Sequence, residues 1–475
     1  MNGFARDLRA EWTKLRSVRG WVLALLASVV LTVLVSLLAA TASSTDVNAS
    51  GEFVVGPGGQ PVVDDFHFVH QPLTGSGSIT ARVTAQRAVQ ESARAGVMIK
   101  DGTRSGAAFA AIAVTPRHGV RLLSNFTVDR TVGSGAAPHW LRLARHGAEI
   151  TGYESADGST WSPVGTVDLR GLPDTVEIGL FVNSPPEVRL GRQAGSTSIG
   201  ELPTKSTATF DNVRLESPLE PGPWKSEDVS RPVAKPIGGD LVQAGGVFTV
   251  TGSGDIARDA PDDDPVAIGL TGFFVGLMAV VAVGVLFMTS EYRRRMIRTT
   301  FAASPRRGRV LAAKAVVLGA VTFVAGLIAS VTAFLVSQPI LRDRGFAPPA
   351  FPPASLADWP VLRAVVGAAA LMAAVALFSL GLGAILRRSA GAITIAVGLM
   401  LLPTIVSTFL PLPAAKLFLL VTPASGFAIQ RAKEPTDALV EPWAAISPWA
   451  GFGVLCLYAA GAIGVAFWLL RRRDA

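Results

Sequence analysis

Long apolar runs with almost no charge occupy both ends of the chain, and a segment of strictly short-range alternation separates them. Residues 21–40 hold no charged side chain and match the ~20 residues needed to cross ~30 Å of hydrocarbon. Residues 266–289, 315–336, 364–386, 390–412 and 449–470 read the same way. Soluble core helices are rarely this long and uninterrupted, so the pattern predicts six membrane-spanning helices. Between the first and second runs the period changes. "GSITARVT" sets Ile79, Ala81 and Val83 against polar neighbours, and "AGVMIKDG", "AAFAAIAVTP", "HWLRLARHG", "TVEIGLFVNS" and "TATFDNVRLE" are further short segments bounded by Gly, Pro, Asp or Asn. Such a series predicts an antiparallel β-sandwich.

Charge adds direction. Basic residues gather at 6–19, 293–314, 387–388 and 471–473, and the only acids within or directly beside these stretches are Asp7, Glu11, Glu291 and Asp474. Of 43 Lys and Arg and 35 Asp and Glu in all, what remains elsewhere is more acidic than basic. Basic loops are retained in the cytoplasm, so both termini are expected inside and the sandwich outside. The net charge of +8 is then a topology signal, and nucleic acid is not an expected partner. "Ala40-Thr41-Ala42" has the small-x-small form of a signal-peptidase site. The run before it exceeds the ~7–15 residues of a signal h-region, so an uncleaved helix is expected. The single cysteine, Cys456, can form no intramolecular disulfide.

The expected organisation is a cytoplasmic amphipathic helix at 1–20, a first span at 21–41, a β-sandwich at 42–217, a Pro/Gly/Asp-rich tether at 218–265 and spans two to six at 266–475. A short strand, "GVFTVTG", interrupts the tether. In the N-terminal helix Phe4, Leu8, Trp12 and Leu15 share one face. Segment 416–430, "KLFLLVTPASGFAIQ", is too short and too broken by Pro and Gly to cross.

Catalytic chemistry has little support. No Walker A, HExxH or Gly-x-Ser-x-Gly pattern occurs, and no cluster of acids lies within the spans. His67 and His70 lack further ligands at a zinc spacing. Asp64 and Asp65 read as exposed strand-end acids rather than glycosidase carboxylates. No metal, cofactor or enzymatic activity is expected. Trp140, Tyr153 and Trp161 form a candidate ligand surface for an extracellular glycan or other ligand, although such aromatics more commonly fill a sandwich core.

Two resemblances sharpen this. "FHFVHQPLTGSGSITARV", "ARAGVMIKDG", "PHWLRLARHGAEITGYESADGSTW" and "VEIGLFVNSP" resemble the concanavalin-like or laminin-G-like jelly-roll domains of bacterial surface proteins and carbohydrate-active enzymes. "EWTKLRSVRGW", one span, a second span, "EYRRRMIRTTFAASPRRGRVLAAKA" and four more spans resemble ABC transporter permeases of the type-two, exporter-like class. The fold class implied is mixed: a six-helix transmembrane bundle with an all-β jelly-roll sandwich inserted between its first and second helices. The second resemblance implies a coupling helix in loop 290–309 that meets a separate ATP-binding subunit, with Glu291, Tyr292, Ile297, Arg298, Phe301 and Trp12 as contact residues. It implies a second permease chain, identical or different, and segment 416–430 resembles the re-entrant pieces that cap such permeases. Glu291 is otherwise expected to pair with Arg295 one turn on. The alternative reading is a membrane-anchored carbohydrate-binding or sensing protein whose spans only hold the sandwich; a surface hydrolase is a further one.

Overall fold

A computed structural model of the chain describes residues 3–44, 54–133, 137–193, 196–220, 222–230, 238–259, 263–293, 307–433 and 445–472. Among them, six helices are long and apolar enough to cross a membrane. The helices are α1 (Gly3–Ser17), α2 (Arg19–Ala42), α3 (Pro265–Gly269), α4 (Phe273–Arg293), α5 (Arg307–Asp343), α6 (Trp359–Leu386), α7 (Ser389–Ser407), α8 (Leu412–Leu420) and α9 (Pro448–Arg472). Helices α2, α4, α5, α6, α7 and α9 carry the apolar windows. The second span starts later than its hydropathy implies because the chain breaks at Leu270–Gly272, after the short α3.

Small residues let these helices approach. Ser28, Thr32 and Ser36, spaced four apart on α2, are fully buried. Ser28 donates to the Gly276 carbonyl at 2.8 Å, and Gly272 N–H donates to Ser36 Oγ at 3.2 Å. A β-carbon on Gly276 would lie 1.9 Å from Thr32 Oγ1, so only glycine permits this crossing. Close backbone approach and interhelical hydrogen bonds are what associate helices in lipid, where no hydrophobic gain is left. Helix α6 is the hub: 72 % of its apolar window is buried, against 22 % for α2, α7 and α9. Segment 416–430 does not cross: it forms the end of α8 and a buried 3₁₀ turn at Pro423–Gln430, with Ser425 donating to the Gly451 carbonyl at 3.0 Å.

The described residues of 62–258 form strands and their connections, with no helix among them. One seven-stranded sheet runs, in spatial order, Ser162–Asp168, Glu149–Ser155, His139–His146, Gly77–Ala88, Ser206–Glu216, Val247–Gly252, Asp240–Ala244. The other runs Lys225–Val229, Phe66–Thr74, Thr175–Asn183, Arg94–Lys100, Phe109–Thr115, Gly119–Ser124, Val128–Gly133. Inward residues of both, among them Ile79, Val83, Val97, Ile112, Leu141, Leu143, Leu180 and Phe210, share one core. Each such side chain contributes about 1.5–3 kcal/mol on burial. A second core, including Phe66, Phe68, Met98, Phe109 and Phe181, lies on the other face of the second sheet and takes in Val62 and Ile256 from the first and last strands of the β-region.

The tether expected at 218–265 is corrected by these strands. Lys225–Val229 extends one sheet at Phe66–Thr74, while Val247–Gly252 and Asp240–Ala244 extend the other at Ser206–Glu216. Ile256–Arg258 closes on Val62–Asp64. Asp264, the last acid of "PDDDP", caps α3 through Val266 N–H at 3.0 Å and accepts Ala432 N–H at 2.7 Å. Pro, Gly and acid punctuation here separates short strands and caps a helix.

Candidate functional site

The charged end of the bundle is built from α1, the end of α4 and the start of α5. Helix α1 turns Leu8, Glu11 and Leu15 towards the bundle. Phe4 and Trp12, expected on the same face, are 37 % and 47 % exposed. The buried stripe therefore includes an acid and leaves Trp12 outward.

Glu11 and Glu291 alternate with Lys14 and Lys314 in a closed ring. Lys14 Nζ donates to Glu11 Oε1 at 2.8 Å and to Glu291 Oε1 at 3.0 Å. Lys314 Nζ donates to Glu11 Oε2 and to Glu291 Oε1, each at 2.7 Å. Glu11, Glu291 and Lys314 are each 2 % exposed. Removing one member of such a buried set strands the others and costs about 3–5 kcal/mol. Two cations against two carboxylates leave no net charge, which is what makes burial tolerable. Burial works against the Lys14 charge, but the hydrogen bond and charge of Glu11, with those of Glu291, outweigh it and hold the ammonium above its ordinary value. Lys314 also lies over the Phe287 ring at 4.6 Å, with Trp21 edge-on to that ring at 5.0 Å. A second clamp, Arg309 to Asp7 at 2.9 Å, ties α5 to the first turns of α1.

Glu291 is thus held by Lys14 and Lys314 rather than free to serve as an outward contact. Tyr292 lies under the Arg387 guanidinium at 4.9 Å, against the short link between α6 and α7. Ile297, Arg298 and Phe301, and Arg295 as the expected partner of Glu291, lie outside the described residues. The structure brings Glu291 together with α1 and leaves Trp12 apart from it. Sequence reasoning missed Lys314: it counted as one more basic residue at the lipid boundary. The signal was its position two turns inside α5, past the apolar Val310 and Leu311, where a cation needs acids.

In the β-region the expected aromatics sit outside both cores. Trp140 and Arg142 alternate with the inward Leu141 and Leu143. Arg82 lies 5.9 Å from the Trp140 ring and Arg142 4.2 Å from the Trp161 ring. Tyr153 is directly across from Arg142. The Asp157-Gly158 turn folds back on this face: a β-carbon on Gly158 would lie 2.6 Å from Trp140. Asp157 accepts Ser159 and Thr160 N–H, both at 2.8 Å, and these hold its carboxyl well below the usual range. His67 and His70, three apart on one strand, face opposite sides. His67 meets Asp228 at 2.7 Å and Ser226 at 2.9 Å; His70 meets Glu177 at 2.7 Å and Glu227 at 2.9 Å. Asp64, expected exposed, is wholly buried and accepts from Lys100 Nζ at 2.6 Å and Gly106 N–H at 2.7 Å. Among the described residues no group of three or more His, Cys, Asp or Glu could hold a metal ion.

No curated protein matches the chain. Solved structures similar to it include SCP-B, a member of the eqolisin family of peptidases in complex with a tripeptide: 8 % identity, 40 % of this chain and 98 % of that one, TM-score 0.26. Scytalido-glutamic peptidase with a transition state analog inhibitor gives 9 %, 40 %, 98 % and 0.27. A functionally unknown protein from Saccharomyces cerevisiae gives 18 %, 32 %, 76 % and 0.21. TM-scores this low carry no argument about activity. The family model described as ABC-2 family transporter protein, by contrast, matches residues 15–475, from the end of α1 through all six apolar helices. The chain belongs to the ABC-2 transporter family, as a multi-pass membrane component of an ABC transporter.

Proposed function

We propose that this chain is the permease subunit of an ATP-driven transporter, energised by a separate ATP-binding subunit that docks on loop 290–309 as a coupling helix. The supporting observation is the ring of Glu11, Lys14, Glu291 and Lys314, which fastens α1 to both roots of that loop. A push on the loop would then move α1, α4 and α5 as one body. In this reading Glu291 positions the loop, while Tyr292, Ile297, Arg298, Phe301 and the outward Trp12 contact the partner. Both termini lie in the cytoplasm, where ATP is. The β-region is an extracytoplasmic, concanavalin-like jelly roll whose outer face, with Trp140, Tyr153 and Trp161, takes a glycan or other ligand. A second permease chain completes the transporter.

The test is co-expression with an ATP-binding subunit encoded beside this chain. Ile297→Asp with Phe301→Asp leaves every basic residue in place and should preserve insertion while abolishing co-purification of that subunit. Undiminished binding would leave the loop as a topology signal only.

A further inference from the structure

A cavity of about 400 Å³ opens at the end of α4, beside the link between α6 and α7. Its walls are Thr289, Ser290 and Tyr292 of α4, with Arg387, Arg388 and Ser389 of the link, and Leu286 and Ala390 complete the lining. Among the described residues no carboxylate lines it: the neighbouring Glu291 Oε1 is already held by Lys14 and Lys314. Three observations converge on one ligand chemistry. Helix α7 starts here with Arg388 at its cap and no side chain bonded to its first amides, so the N–H groups of its first turn point outward with their positive dipole end. Arg387 stands in the left-handed region at φ 54°, a conformation disfavoured for a residue with a β-carbon. That turn sets its guanidinium over Tyr292, and its buried Nε has no hydrogen-bond partner. Independently, Thr289 is 4 % exposed, lines the cavity, and its buried Oγ1 also has no partner. A threonine hydroxyl inside a helix normally bonds back to a carbonyl a turn earlier; this one is left for something in the cavity.

We propose that this cavity binds a phosphate group. Two guanidinium groups, helix amides and the hydroxyls of Thr289, Ser290 and Ser389 suit a tetrahedral oxyanion, which needs donors from several directions. The site lies at the end of the apolar windows of α4, α6 and α7, the depth of lipid headgroups, with Leu286 as an apolar wall. Phosphate chemistry there has two sources, the headgroup of an anionic phospholipid or free phosphate. The inference stands without the ATPase pairing; only the leaflet rests on the orientation proposed above.

The experiment places the full chain in nanodiscs of phosphatidylcholine with or without phosphatidylglycerol, and counts retained lipid by native mass spectrometry. The native chain should retain phosphatidylglycerol. Arg387→Gln with Arg388→Gln should reduce that retention more than tenfold. Thr289→Val, which changes no charge, should reduce it about tenfold, the value of one hydrogen bond to a charged group. Arg471→Gln with Arg472→Gln, a basic pair at another helix end, should leave it unchanged. Displacement of the lipid by inorganic phosphate would assign free phosphate as the source, and failure to displace it would assign the headgroup. Equal retention by Thr289→Val and the native chain would reduce the binding to diffuse attraction and overturn the site, as would no retention of either probe by the native chain. Should the double arginine variant fail to insert, the Thr289→Val comparison decides alone.

Discussion

The β-region and the bundle each bury lysine against carboxylate, and they do it by opposite means. In the β-region Lys100 and Asp64 are both 0 % exposed, one pair inside an aromatic core, with Lys100 near the Phe66 and Phe109 rings. At the end of the bundle four charges share the burial, and Lys14 keeps 33 % of its side chain in contact with solvent. Backbone supply differs in the same sense. The sheets fill their core with Ile, Val, Leu and Phe, since leaving water is the driving force there. The helices meet through Gly, Ser, Thr and Ala, since lipid offers no such gain. The Lys100–Asp64 pair is therefore a local fixture between residues 36 apart, while the ring at the end of the bundle joins elements as much as 303 residues apart.

The largest expected effect concerns how far the β-region extends. A fragment of residues 54–259 contains every strand of both sheets and should fold cooperatively, with a β-type circular dichroism spectrum. A fragment ending at residue 216 loses the strands on either side: Phe210 loses Phe248 across the sheet, and Phe66–Thr74 loses its neighbour Lys225–Val229. It should be insoluble or molten. Equal melting of the two fragments would show that the later strands are dispensable, as a tether would be.

Next comes the buried pair. Asp64→Ala strands the Lys100 ammonium in an apolar core and should lower the unfolding free energy of the 54–259 fragment by about 3–5 kcal/mol. Asp64→Leu with Lys100→Met removes both charges and should recover most of that loss, because the pair's desolvation nearly cancels its attraction. Denaturant titration of the three proteins separates the outcomes; a double variant as unstable as the single one would mean that the pair is net stabilising.

Much of this contrast was legible before the fold. Twenty-residue apolar windows have one physical explanation, so the spans were readable; their ends were less so, because α5 runs on through Arg307 and Asp343 at its two boundaries. In "HWLRL" the alternation puts Trp140 and Arg142 on one face and both leucines on the other, so Trp140 lies outside the core that such aromatics more commonly fill, against the expectation that weighed ring type over alternation. What stayed hidden depends on partners remote in the chain. Lys225–Val229 pairs with residues more than 150 positions earlier, and Lys314 meets Glu11 across 303. Local pattern carries no information about such pairings. The cavity at Arg387 was similarly hidden, since it needs the left-handed turn after α6 to bring two arginines beside Thr289.

The smallest effect is also the one in which the two regions should diverge in sign. Burial lowers the Lys100 pKa from 10.5 despite Asp64, so between its folded value and 10.5 the unfolded chain binds more protons and stability rises with pH. Lys14 is shifted the other way from 10.5. Its contribution is complete below that value and falls as pH climbs through the higher folded one, where the native state holds a proton that the unfolded chain has released. The measurement is a pair of difference curves: melting of the 54–259 fragment against its Lys100→Met variant, and of the full chain in detergent against Lys14→Gln, each followed upward through pH 10.5. The first difference should grow in favour of the native residue as pH approaches 10.5, and the second should shrink above it. Two curves of the same slope would mean that Lys14 is buried as Lys100 is, a charge tolerated by its neighbours, rather than one that the carboxylates of Glu11 and Glu291 actively hold.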